Sequence, residues 1–223
     1  MASRPVFIPH TEGPNLVTQK VVDFQWFPGF SLKQKHKSIE SFHAAAEAQY
    51  DLAPLLEISS KSPEELGTHL SAFNLRLQLP GLPSATSVES AFQGSKVFEC
   101  DGPFIDLYRK PASEAKKDAR LRNSGDLRNF QLGDERWPLE PKTAFYDWLY
   151  LNALRLHVDQ AEKLLHYVGF TDIEFNPKRS INCQAQSAAL YVALYRRNLL
   201  PDALRSRDTF LGCRGSFAAC SQP

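Results

Sequence analysis

Long apolar runs are missing from this chain. No stretch of its 223 residues approaches the ~20 consecutive apolar positions of a bilayer-spanning helix, so no membrane segment is expected. Cysteine is scarce. The four present, Cys100, Cys183, Cys213 and Cys220, form no C-x-x-C, and none stands near a histidine at zinc-finger spacing. Reduced thiols are expected, and no metal site. The six histidines, His10, His36, His43, His69, His157 and His166, are scattered, with neither H-E-x-x-H nor a close pair. Charge of one sign is lacking too. A net charge of +1 excludes a strongly basic binder of nucleic acid, so any such contact would come from a local patch. There is no Gly-x-Gly-x-x-Gly, no P-loop and no internal repeat, and no cofactor is expected. The opening "MASRPVFIPHTEG" carries neither a positive segment leading into an apolar block nor a cleavage site, so a cytoplasmic location is expected.

What is present is enough apolar material, 43% of residues, to bury one sizeable core. Residues 1–60 read as an N-terminal extension packed on the core, 61–200 as the core itself and 201–223 as a tail. The first 35 residues are rich in Pro and Gly, with one strand in "NLVTQKVVDFQWF". Ser38 is placed to cap a helix over "IESFHAAAEAQY". "PLLEISSKS" reads as a short buried strand, and "SPEE" as a capping box with Ser62 as N-cap, Pro63 first in the helix and Glu65 reciprocating. "LSAFNLRLQL" is extended, "PGLPS" a turn, "ASEAKKDAR" a short helix with a basic exposed side, and 123–140 an irregular loop. A long aromatic helix follows Pro141, lined by Phe145, Trp148, Leu149 and Leu156, and "VDQAEKLLHYVG" carries it to a Gly stop. "FTDIEF" is the last strand and "NPKRS" the turn after it. "INCQAQSAALYVALYRRN" is an amphipathic helix buried along Ile181, Ala185, Ala188, Ala189, Val192 and Leu194. The tail, with Arg205, Arg207 and Arg214, reads as a loosely packed extension. The expected fold class is α+β, predominantly helical with a few short strands.

One segment carries more polar chemistry than its setting needs. Wound as a helix capped by Ser87, "SVESAFQGSKVF" sets Val88, Ala91, Phe92 and Ser95 on one stripe and Glu89, Gln93 and Lys96 on the next. An acid, an amide and an amine in one column are either a solvated face or the wall of a site.

The order of four pieces decides between these. "LSAFNLRL", "SVESAFQGSKVF", "RWPLEPK" ahead of a long helix, and "DIEFNPKRSINCQAQSAALYVAL" together resemble the NADAR family, which includes YbiA-like N-glycosidases. The family pattern runs from an L-S-N-F segment to an E-x-x-x-Q-A-x-K-F helix, a Trp-containing loop, a late acidic strand and a small-residue helix. Leu70, Ser71 and Phe73 match the first piece, with Ala72 for the usual Asn and Asn74 one place beyond the Phe. Glu89, Gln93, Lys96 and Phe98 match the second, with Gly94 for Ala and Val97 inserted. Trp137 and Lys142 resemble the third at a spacing one residue longer. Asp172 and Glu174 lie where the family has its late acidic residues. "VDFQWFPGFS", "LEISSKS" and "FYDWLYLNAL" resemble a narrower branch, the antitoxins of DarT-type toxins that ADP-ribosylate guanine in DNA.

The resemblance implies a glycohydrolase that removes ADP-ribose from guanine-linked ADP-ribosylated DNA. ADP-ribose is then the product and a DarT-type toxin the cognate partner. Two other functions fit the same pattern: an N-glycosidase on a phosphoribosylated riboflavin precursor, and a non-catalytic module that binds ADP-ribose and neutralises the toxin by contact. For cleavage, Glu89 would stabilise charge at the anomeric carbon or activate water. Lys96 would be a nucleophile forming a Schiff base, a positioning cation, or a point charge on pyrophosphate. Gln93 suits ribose hydroxyls. Asp172 and Glu174, on one face of the expected strand, offer a second acid/base group or a solvated strand end. Trp137 is a flat face for a base or a loop anchor on the core. Ser71 and Asn74 bind ribose or diphosphate, or serve as cap and turn. Lys61, with Ser59 and Ser60, is a further substrate-binding candidate. The Lys and Arg of 109–122 face either DNA phosphates or solvent.

Overall fold

A computed structural model describes residues 1–178 and 180–219. Arg179, the Arg214 side chain and Cys220 lie outside the described residues. The elements run β1 (Ala2–Pro9), β2 (Val17–Phe24), α1 (Leu32–Tyr50), β3 (Leu55–Glu57), α2 (Glu65–His69), β4 (Arg76–Leu77), β5 (Thr86–Ser87), α3 (Val88–Gly94) and β6 (Lys96–Phe98). After a 3₁₀ turn at Ile105–Arg109 come α4 (Ala112–Ala115), α5 (Arg120–Asn123), β7 (Leu127–Leu132), β8 (Glu135–Trp137), α6 (Ala144–Arg155), α7 (Val158–Lys163), β9 (Gly169–Thr171), α8 (Gln184–Arg196), α9 (Leu200–Ala203) and α10 (Arg207–Ala219). The fold is α+β, with helices mixed among short strands. No helix among the described residues is long and apolar enough to cross a membrane.

The main sheet has the order β2-β1-β9-β3, antiparallel except for the parallel β3/β9 pair. Its two faces are separated by strand alternation. Val6 and Leu55 join Phe24, Ile39 and Phe42 beneath α1. Their neighbours Phe7 and Leu56 point the other way, into the large core with Phe170 and the residues of α6 and α8. β1 forms although Pro5 and Pro9 argue against a strand. The sheet tolerates them because β1 meets β9 only at Phe7 and is otherwise an edge beside β2.

Helix ends depart from expectation where tertiary contacts outbid local caps. α1 begins seven residues early, with Ser31 as its cap, and Ser38 lies buried inside it, donating to the Gln34 carbonyl and accepting from the Phe27 N–H. The Ser62/Glu65 box does not form. α2 starts after Glu64 without a side-chain cap, while Ser62 accepts from the Glu64 N–H. The 70–79 segment is strand only at Arg76–Leu77. "ASEAKKDAR" splits, its helix ending at Ala115 and a second short turn beginning at Arg120. The aromatic helix stops at Arg155, and Gly169 is a strand residue rather than a helix stop.

Larger corrections concern the loop, the last helix and the tail. Residues 127–137 are a β-hairpin, with Gly133 at φ 59 opening its two-residue turn as a primed turn requires. α8 is buried along Ala185, Ala188, Ala189, Val192 and Leu194 as expected, and continuously from Ser187 to Leu194, whereas Ile181 is exposed ahead of it. The described part of the tail is no loose extension. Phe210 of α10 is fully buried, packed 5.4 Å from the Trp148 ring and 6.5 Å from that of Trp137.

Candidate active site

The column of Glu89, Gln93 and Lys96 forms, although not on one helix. α3 closes at Gly94, where an added Cβ would come within 2.5 Å of the Tyr108 ring, and the chain then turns into β6. Glu89 and Gln93 therefore stand on successive helical turns, with Gln93 Nε2 donating to Glu89 Oε1 at 2.9 Å. Lys96 joins them from a strand, opposite Phe130 of β7. Its ammonium lies 4.9 Å from the centre of the Phe92 ring. All three side chains line one cleft of about 670 Å³, within the usual range for nucleotide-sized ligands.

The far wall is built from the end of β9. The strand stops at Thr171, so Asp172 and Glu174 sit in the following turn rather than on one strand face. Asp172 is buried. Its Oδ1 accepts from the Glu174 and Phe175 N–H groups, and its Oδ2 accepts from Gln184 Nε2 at 3.0 Å. Glu174 lies at the rim and pairs with Lys35 at 2.8 Å.

The two walls are tied together by backbone. The Glu89 N–H donates to the Ala72 carbonyl at 2.9 Å, and the Ala72 N–H donates to Gln184 Oε1 at 2.7 Å. The Gln184 amide then holds Asp172. The L-S-x-F segment thus serves as a splint between the carboxylates, which explains why it accompanies the other pieces. Phe73 of the same segment reaches the cleft.

Burial tunes the ionisable groups. Desolvation lowers Lys96 to about 8, opposed by Glu89 and reinforced by Lys116. Asp172 rises well above the ordinary carboxylate range, through burial first and then through Glu57, whose own carboxyl is raised chiefly by burial. Glu57 accepts from the Thr171 hydroxyl at 2.7 Å and the Ile173 N–H at 2.8 Å. Since that hydroxyl donates to Glu57, His43 Nε2, at 2.8 Å, donates to it. Burial lowers His43 to about 4, so it is neutral near pH 7.

Four of the sequence candidates lie outside this cleft. Trp137 is fully buried among Phe145, Trp148 and Phe210, leaving no ring face for a base. The Ser71 hydroxyl is buried and donates to the Thr68 carbonyl. Asn74 donates to the same carbonyl and borders a separate small recess with His69 and His157. Lys61 does not line the cleft, although Ser59 and Ser60 do. Residues not singled out beforehand take their place. Lys116, Tyr146 and Gln184 all face the cleft, and Lys116 Nζ stands 3.6 Å from Glu89 Oε1. Lys116 was hidden inside a basic run, whereas Gln184 carried no signal beyond its place at the start of a helix.

The α+β fold, with helices mixed among short strands, is consistent with the NADAR, or YbiA-like, class. Within that class the narrower assignment is a matter of sequence. Residues 2–221 match the family described as DarT1-associated NADAR antitoxin, and the chain belongs to it. Its role is accordingly that of an antitoxin, and its family implies a DarT-like toxin as counterpart. No curated protein matches the chain.

Proposed function

We propose that this antitoxin acts as an enzyme, cleaving the N-glycosidic bond that joins ADP-ribose to guanine in DNA and so undoing the toxin's modification. The observation carrying this reading is that Glu89, Gln93, Lys96 and Asp172 meet in one cleft, with Gln93 Oε1 buried and without a hydrogen-bond partner. An orphaned buried acceptor is costly unless a ligand donor fills it, and a ribose hydroxyl is such a donor.

Each group then has a task. The Lys96 amine attacks the anomeric carbon, and the electron pair of the glycosidic bond departs with the guanine nitrogen. Asp172, held protonated by its burial, gives that nitrogen its proton. Glu89 opposes the positive charge that develops at the ribose. Loss of the amine proton and ring opening leave a Schiff base. Water adds to it, and the amine leaves as ADP-ribose is released.

The test is to incubate the full chain with guanine-ADP-ribosylated DNA and assay free ADP-ribose and restored guanine. A phosphoribosylated riboflavin precursor serves as the parallel substrate. Release from DNA, abolished in Glu89→Gln, is the expected result. Turnover of the precursor alone would replace the substrate. Binding of free ADP-ribose without any release would reduce the protein to a binding module.

A further inference from the structure

Glu89 and Lys96 carry opposite charges in one cleft, yet they are not an ion pair. Among the described residues the Lys96 ammonium forms neither a salt bridge nor a hydrogen bond, only its contact with the Phe92 ring. The carboxylate is engaged elsewhere. Glu89 Oε1 receives the Gln93 amide at 2.9 Å and has the Lys116 ammonium 3.6 Å away. Lys116 follows α4, which packs on α3, and its ammonium rests 5.1 Å from the centre of the Phe73 ring. Its side chain is 56% exposed, so it reaches into the cleft from the rim and is not part of the core.

We propose that Lys116 is a positioning residue acting through Lys96: by holding Glu89 it denies Lys96 a carboxylate partner and leaves that amine aimed into the cleft as a nucleophile. The inference deepens the proposed function and rests on that reading only for its consequence in turnover. An amine attacks carbon only when unprotonated, so a nucleophilic lysine must avoid a close carboxylate, which would hold the proton on it. Lys116 helps in two ways, by occupying that carboxylate and by adding a like charge to the same cleft.

Among the described residues no other cation pairs with Glu89. β7 presents an uncharged ring, Phe130, directly opposite. Tyr146 of α6, Glu140 and Lys142 before it, and Asp172 belong to the remaining walls. The charges acting on Lys96 are Glu89, which favours the ammonium, and Lys116, which disfavours it. Removing Lys116 therefore deletes a like charge and frees Glu89 for Lys96, two changes of the same sign.

The experiment uses the full chain with its lysines reductively ¹³C-methylated, followed by NMR across pH. The Lys96 signal is identified by its disappearance in Lys96→Arg. The Lys116→Met variant keeps the apolar stem over Phe73 and is expected to raise the Lys96 midpoint from about 8 by about one unit, a tenfold loss of neutral amine near pH 7. The Lys116→Arg variant, which keeps charge and reach, should restore the original midpoint. In turnover, the acid limb of the pH profile should move by the same distance in Lys116→Met. An unmoved Lys96 midpoint in Lys116→Met, or a shift that Arg does not reverse, overturns the inference. No substrate enters the NMR titration, so a chain that released no ADP-ribose would defeat the proposed function while leaving this result intact.

Discussion

The two walls of the cleft treat a carboxyl group in opposite ways. On the α3 wall, Glu89 is buried with an ammonium 3.6 Å away and an amide donor at 2.9 Å. On the wall after β9, the hydrogen-bond donors to Asp172 are amides, and the largest influence of another charge on it is that of a second buried carboxyl, Glu57. Placing a cation beside one carboxyl and a like charge beside the other assigns different chemistry to two similar side chains. Under the proposed function, Glu89 opposes positive charge at the sugar and Asp172 delivers a proton. Lys96 lines the same cleft, its charge weakened by burial.

The sharpest way to break this division is at Glu89. Under the proposed function, Glu89→Gln should lower kcat/KM on guanine-ADP-ribosylated DNA by about 10²–10⁴-fold with an unchanged thermal transition. Asp172→Asn should cost about 10²-fold and change the shape of the pH profile. The sign follows from both shifts. Activity rises as Lys96 loses its proton near pH 8, and the opposite limb, on which it falls, is set by Asp172 losing the proton it must donate. The Asn variant should keep the acid limb and lose the alkaline one.

Stability sharpens the contrast from another side. Phe210→Ala, at a position that does not line the cleft, should cost about 3–5 kcal/mol in denaturant unfolding, because it opens a cavity against Trp137 and Trp148. Its kcat/KM per folded molecule should stay near wild type. A smaller effect is expected at Glu57. Its folded pKa and that of Asp172 are raised, so the stability they contribute is full below the ordinary carboxylate range and is lost as pH rises through the folded values. A Tm series from pH 5 to 9 should therefore decline less steeply in Glu57→Gln. The smallest effect belongs to Asn74→Ala, at the separate recess, which should change turnover by less than about threefold.

The sequence made the α3 wall legible because an i, i+4 pair is a local fact, and Glu89 and Gln93 need only one helical turn to meet. Lys96 reached the same cleft by a route that local pattern could not show. β6 exists because β7 pairs with it, and β7 belongs to a hairpin whose Gly133–Asp134 turn carries only a loop signal in the sequence. Trp137 misleads for the same reason, since its burial depends on β7 beside it and on Phe210 arriving from α10, more than seventy residues on. Ser71 belongs to the resemblance through its backbone neighbourhood, not through its hydroxyl. The segment's value lies in the Ala72 amide and carbonyl that link Glu89 to Gln184. Family pieces mark which segments matter, whereas tertiary pairing decides which atoms of them face the cleft.

The most direct measurement is borohydride trapping during turnover of guanine-ADP-ribosylated DNA, followed by peptide mapping of the reduced adduct. The account predicts one ribose-bearing lysine, Lys96, with no adduct in Lys96→Ala. Full release of ADP-ribose with no trapped lysine, or an adduct on Lys116 or Lys142 instead, would contradict it.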